Sequence, residues 1–368
     1  MRALFSIFLS LLLLTIALPG YINAQVKDFV ILVSDNEADL TLAQKIAVVL
    51  DAKVIVSPWG IYNESVVPKI LDADPSFVLI IGGPMAVPEE YEKDLEDLGI
   101  PHTRLYGSTR VETAQVVINW IKKDYPDLFK DIKFAVVYGW DFGAIMKVRS
   151  MKGVIPIFIG YNPVNITIPE EDVVAIMSRD SEEIMEKITG KFRVRSRMRV
   201  VITQEVAKET IEESSIVISR AEEVLREVES IGSMGARAWV FLDAAKGYLK
   251  KAKSSYEEGD YIKAYEYAKN AKIRAERAIV LARAGEKGPG LEISRRIKML
   301  EITVIRLKAR GIDVSNILPL IEKAKSALES GNVGEAMNYV EMAMKLIREK
   351  TRGHGENGRA HLNHGPKH

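Results

Sequence analysis

Two short stretches of this 368-residue chain bring together residue types that hold ligands. Gly82-Gly83 follows the apolar run Val78 to Ile81 and precedes a helical pattern. A glycine pair there lets a ligand approach the backbone closely, and the helix N-terminus behind it favours an anion. The same pair also suits a tight turn that needs positive φ. Further on, Arg110 and Glu112 open a second helix just past Gly107. Arg110 offers a fork of donors for phosphate or carboxylate, or it pairs with Glu112 and neighbouring loops to fix the helix start. Asp35 and Asp141 stand at comparable strand ends, where they bind sugar hydroxyls or cap helices.

Other clusters allow further chemistry. Lys191, Arg193, Arg195, Arg197 and Arg199 alternate with Phe192, Val194, Ser196, Met198 and Val200. Period two puts all five cations on one face of an extended strand. They repel one another, so they call for acidic partners: the Glu-rich helix from Glu205 to Glu229, or an external acidic glycan, lipid headgroup or nucleic acid. His354, His361, His364 and His368 crowd the C-terminus. Such a cluster holds Zn²⁺ or Ni²⁺ only weakly without fixed geometry, so a solvated tail is the reading taken. Asn63-Glu64-Ser65 and Asn165-Ile166-Thr167 are glycosylation candidates in an exported chain. There is neither a Gly-x-Ser-x-Gly elbow nor a Walker loop, and His102, alone outside the tail, makes no zinc site. The chain reads as non-catalytic and without a cofactor.

Composition narrows the setting. Lys plus Arg number 51 against 50 acidic residues, and removing Arg2 with the leader balances them. Global charge therefore gives no grip on nucleic acid. Zero cysteines exclude disulfides, thiolate zinc sites and cysteine nucleophiles. Met1-Arg2, the apolar stretch Ala3 to Leu18, Pro19-Gly20 and Ile22-Asn23-Ala24 follow the order of a secretory signal. We read 1–24 as a signal peptide, with an uncleaved anchor as the rival. The apolar runs at Phe77–Ile81 and Phe134–Tyr138 are strand-sized, so no span is expected after it.

These residues need elements to position them. From residue 25 to about 203, strand-like runs alternate with amphipathic stretches: Phe29–Val33, Val54–Ser57, Phe77–Ile81, Thr103–Tyr106, Phe134–Tyr138 and Ile155–Ile159. That pattern predicts an α/β, Rossmann-like parallel sheet covered on both faces, with ligands at the C-terminal rim. After Gln204 the pattern is helical. Lys251-Ala252-Lys253-Ser254 recurs 72 positions on as Lys323-Ala324-Lys325-Ser326, with Gly259-Asp260 matched by Gly331-Asn332. Gly ends one helix and Asp or Asn caps the next, which predicts an all-α region of two three-helix units, 204–285 and 290–352. Residues 353–368 read as a disordered tail.

The stretch from Val78 to Pro88 and the later Gly107-Ser108-Thr109-Arg110-Val111-Glu112-Thr113-Ala114 together resemble the cell wall binding repeat 2 family. Its members carry an apolar run, Gly-Gly-x-x-Ala-Val, a helix, then Gly-Ala-Asp-Arg-Tyr-Glu-Thr-Ala. The resemblance runs from Lys27 to Ile168, about one and a half repeats, with Asp141-Phe142-Gly143-Ala144 opening the second. It departs at Ser108-Thr109, at Val111, and in the apolar segments Val54–Val56 and Ile157–Ile159. The resemblance implies a Rossmann-like module that attaches an exported protein to the cell envelope non-covalently, with homotrimer packing as a corollary, and the rim residues Gly82, Gly83, Arg110, Glu112, Thr113, Asp35 and Asp141 are the candidate contacts.

The expected function is therefore that of a non-catalytic cell-surface protein. Its α/β module binds an anionic envelope polymer or surface layer, and its helical half is a spacer or protein-docking surface. An extracytoplasmic solute-binding or sensing protein and a helical assembly scaffold are the alternatives.

Overall fold

The computed structural model describes residues 28–129, 132–161, 173–189, 194–230, 236–283 and 289–361. The leader, Asn165, Lys191, Arg193, His364 and His368 lie outside these, as do the side chains of His354 and His361.

The first unit comprises β1 (Phe29–Ser34), α1 (Glu37–Leu50), β2 (Lys53–Ser57), α2 (Val66–Ala73), β3 (Phe77–Ile81), α3 (Glu90–Leu98) and β4 (His102–Leu105). Its strands are parallel in the order β2-β1-β3-β4. α4 (Arg110–Asp124) leads to the second unit: β5 (Lys133–Tyr138), α5 (Phe142–Ser150), β6 (Val154–Ile159), β7 (Val173–Ser178), α6 (Glu182–Thr189) and β8 (Ser196–Val200). These strands are also parallel, in the order β6-β5-β7-β8. The α/β part is thus two sheets of matching order, where the sequence reading had one unit and the start of another.

The apolar strands face helices on both sides. Val30 and Leu32 of β1 enter one core with α2 and α3. Ile31 and Val33 enter a second core, shared with α1, α4 and the whole of the other sheet. Pro156 sits in β6, an outer strand, where the missing N–H interrupts no ladder. β8 is the opposite edge. Arg197 and Arg199 are exposed there while Met198 and Val200 pack on the core, as period two predicts. Charged side chains also discourage another chain from pairing with that edge.

Six helices follow: α7 (Gln204–Ser230), α8 (Ala236–Glu257), α9 (Tyr261–Arg283), α10 (Pro289–Ala309), α11 (Leu318–Glu329) and α12 (Val333–His361). Gly259 and Gly331, at φ +79° and +76°, end α8 and α11, as the repeat predicts. The last helix runs on into the stretch read as a tail, because extending an existing helix gains one bond per residue fixed.

The two triads dock differently. α10 to α12 join the first sheet's core through Ile293, Ile297, Leu300 and Val340. Arg296 Nε donates to Asp94 at 3.0 Å across that contact, and the Tyr62 hydroxyl donates to the same carboxylate at 2.6 Å. α7 to α9 instead lie over the strand ends, with Trp59, Phe142 and Ile202 packed in their core. Neither triad is a detached spacer.

Candidate binding site at the strand ends

The Gly-Gly turn is built from below. Gly82 takes φ +118°, a conformation that favours glycine, and its carbonyl accepts from Arg104 Nη1 at 2.7 Å. The same nitrogen reaches Val87 O at 2.8 Å, while Arg104 Nε donates to Glu92 at 2.8 Å. Arg104, absent from the sequence-derived site, therefore staples β4 to the turn after β3. A Cβ on Gly83 would meet the Tyr106 ring at 3.1 Å.

The second turn holds itself. Thr109 caps α4 by accepting from Glu112 N at 3.3 Å, Glu112 accepts from Ser108 N at 2.7 Å, and Thr113 accepts from Gly107 N at 3.0 Å. This is a variant of the capping box, readable from Thr109-x-x-Glu112. A Cβ on Gly107 would lie 2.2 Å from that of Glu112, so only glycine fits. Glu112 and Thr113 thus shape the loop through its backbone.

The two turns meet. Gly83, Pro84, Tyr106, Ser108, Arg110 and Asp39 line a common cavity of about 350 Å³, with Asn36, Trp59 and Thr113 also on its wall. Arg110 is largely buried. Its Nη1 donates to Glu37 at 2.8 Å and to Gly139 O at 2.9 Å, and its guanidinium lies 5.6 Å from the Trp140 ring. Burial alone would raise the Glu37 pKa, but Lys272 and Arg110 outweigh it and hold the carboxyl well below the usual range. Asp39 is 8% exposed, and its carboxylate accepts no hydrogen bond from the described residues. Burial pushes its pKa up to about 6 against the attraction of Arg110.

The other rim carboxylates serve the fold. Asp35 accepts from Arg220 of α7 at 2.6 and 3.1 Å and from Trp59 N at 2.8 Å. Asp141 is fully buried. It caps α5 through Ala144 N at 2.9 Å, accepts from Ser178 N at 2.7 Å, and takes the Ser181 hydroxyl as well. On the edge strand, Arg199 pairs with Glu182 of α6 and not with the Glu-rich α7, because β8 and α6 are neighbours in the same unit. Asn63 closes a local turn, its side-chain oxygen accepting from Ser65 N at 2.9 Å and Ser65 Oγ at 2.6 Å.

One helix joins the two rims. Along α9, Tyr265, Lys269, Lys272, Glu276, Ile279 and Arg283 recur at helical spacing on one face. Tyr265 Oη accepts from Gly143 N at 3.2 Å, and Lys269 pairs with Asp180, both beside the second sheet. Lys272 reaches Glu37 at 2.6 Å and Glu213 at 3.1 Å beside the first. Ile279 and Arg283 come close to Gly60. At the second sheet's strand ends, Ile202 also closes on Gly143, and Phe142 packs with Tyr265 at 6.3 Å between ring centroids. Tyr265, Phe142 and Ile202 thus pack at the second rim, beside a cavity of about 590 Å³ lined by Gly143, Val200 and Thr203, while the first rim has the cavity shared by its two turns.

No family model matches the chain. An uncharacterized protein of Methanocaldococcus jannaschii is 43% identical over 113 residues, 30% of this chain and 33% of that protein. The chain thus matches about a third of the length of that curated relative. The solved structure of Cwp6 from Clostridium difficile aligns with a TM-score of 0.36 and 19% identity, covering 47% of this chain and 29% of that one. No described helix is long and apolar enough to cross a membrane.

Proposed function

We propose that the chain is a non-catalytic exported protein of the cell envelope, holding an envelope polymer or a surface-layer component in the mouth beside Gly83 and Arg110. One observation carries this reading: two turns far apart in sequence, after β3 and after β4, share one open cavity. The anionic polymer suggested by the sequence would meet Arg110 there. That charge is already balanced by Glu37, so shape and hydrogen bonding hold the ligand more than ion pairing does. The helical half supports the mouth from behind and along its edge. A small soluble ligand is the second reading, favoured by a cavity within the ~300–1,000 Å³ range usual for such sites.

Co-sedimentation of the mature protein with purified envelope tests this. The wild type pellets, and Gly83→Trp, which fills the mouth, stays in the supernatant with an unchanged circular dichroism spectrum. Equal pelleting of both would remove the mouth from the function. Homotrimer packing is tested by light scattering, where a monomeric mass refutes it.

A further inference from the structure

We infer that the mouth is a carbohydrate site, one that recognises sugar rings and hydroxyls and not the charge they carry. This rests on the reading of the mouth as the binding surface and names the chemistry of its ligand.

Asp39 carries the argument. The residue is 8% exposed and lines the cavity, and its carboxylate oxygens, which accept no hydrogen bond from the described residues, open onto it. A largely buried carboxylate without protein donors must find them in whatever occupies the cavity, and neighbouring hydroxyls of a sugar would supply them without adding charge. A phosphate or carboxylate would instead be pressed against Asp39 and Glu37. An ammonium would satisfy Asp39 but would bring a second cation towards Arg110. Asn36 is 5% exposed, and its side-chain oxygen caps Ala38 N at 3.2 Å, which leaves its amide N–H groups on the cavity wall for a hydroxyl oxygen. Donor and acceptor side by side suit a polyol.

The walls agree with the floor. Trp59 and Tyr106 both line the cavity, and Tyr106 lies half-exposed over Gly83. Flat aromatic faces with a polar tip suit the mixed apolar and hydroxylated surface of a sugar ring. A second aromatic surface follows along the rim. Trp140 and Tyr161 are 42% and 71% exposed, and their rings lie 5.3 and 5.4 Å from that of Tyr138. Arg110 joins the two, lining the cavity on one side and facing Trp140 on the other. A glycan leaving the cavity past Arg110 meets this surface next.

The test sediments the mature protein with purified envelope that is untreated, periodate-oxidised to cleave vicinal diols, or protease-digested. Binding should survive protease and disappear after periodate. Asp39→Asn should weaken binding by about tenfold or more while keeping the fold, since it removes a buried charge. Tyr106→Ala should weaken it as well, and Lys69→Ala on the exposed face of α2 should not. Binding that survives periodate, or Asp39→Asn at wild-type affinity, overturns the carbohydrate assignment while envelope attachment stands. No pelleting with untreated envelope overturns attachment itself, and this inference with it.

Discussion

Lys272 and Glu37 form an ion pair of 2.6 Å across 235 positions of sequence, with both side chains about nine-tenths buried. The pair ties α9 to the first turn of α1, next to the mouth. Lys272→Met would leave Glu37 and Glu213 without this partner, and the loss should be about 3–5 kcal/mol in urea denaturation. Adding Glu37→Gln should recover part of it. A single-variant loss under about 1 kcal/mol would show that the pair does not hold the helix in place.

Acid should first stabilise the protein and then destabilise it. Burial, with Glu37 close by, raises Glu276 to about 7, and burial raises Asp39 to about 6. Both lie above their unfolded values, so the folded chain keeps protons that the unfolded chain has released. Stability should therefore rise as pH falls through 7 and 6. Glu37 acts in the opposite sense, since its folded value is depressed, and its contribution fades below about pH 4. Chemical denaturation from about pH 8 to 3 should show a maximum near pH 5, and Glu276→Gln should flatten the upper slope by about 1–3 kcal/mol.

Two buried carboxylates, Asp39 in the first turn of α1 and Asp141 at the N-cap of α5, should respond oppositely to neutralisation. Asp141 accepts from two backbone N–H groups and a hydroxyl, so Asp141→Ala strands buried donors and should cost about 2–4 kcal/mol. Asp39→Asn removes a buried charge with no donor and should be neutral or stabilising in the same thermal melts. Equal losses would contradict the account of Asp39.

The glycines of the two turns should differ from their neighbours. Gly82→Ala forces a side chain into φ +118° and should cost about 1–3 kcal/mol. Gly107→Ala drives a Cβ into Glu112 and should unseat the start of α4, visible as faster amide exchange at Ser108 and Gly107. Gly153, with open space around it, should show only the cost of its own positive φ.

Much of this architecture was legible in the sequence. Apart from β4, whose sequence is His-Thr-Arg-Leu, the strands from Phe29 to Ile159 announce themselves as apolar runs, and the Gly259/Gly331 repeat marks both helical hairpins. β7, Val173–Ser178, is an apolar run of the same kind, but it lies past Ile168, where the family resemblance ends. That the Gly-Gly and Arg110 turns lie on one rim follows from a parallel sheet, in which the loops after successive strands share one side. That Arg110 turns inward to Glu37 does not, since the pairing spans 73 positions and depends on how α4 crosses α1. Asp39 gave no signal, being one more acidic residue in a helix's first turn. Its importance comes from burial, which no local pattern reveals.

In the envelope attachment proposed above the chain would bear tension, and the course of α9 decides how that load would be shared. Pulling on the C-terminal half would not peel one contact at a time. The tug would reach Asp180 and Gly143 on one α/β body and Glu37 on the other together, so several bonds must rupture in concert before the grip fails.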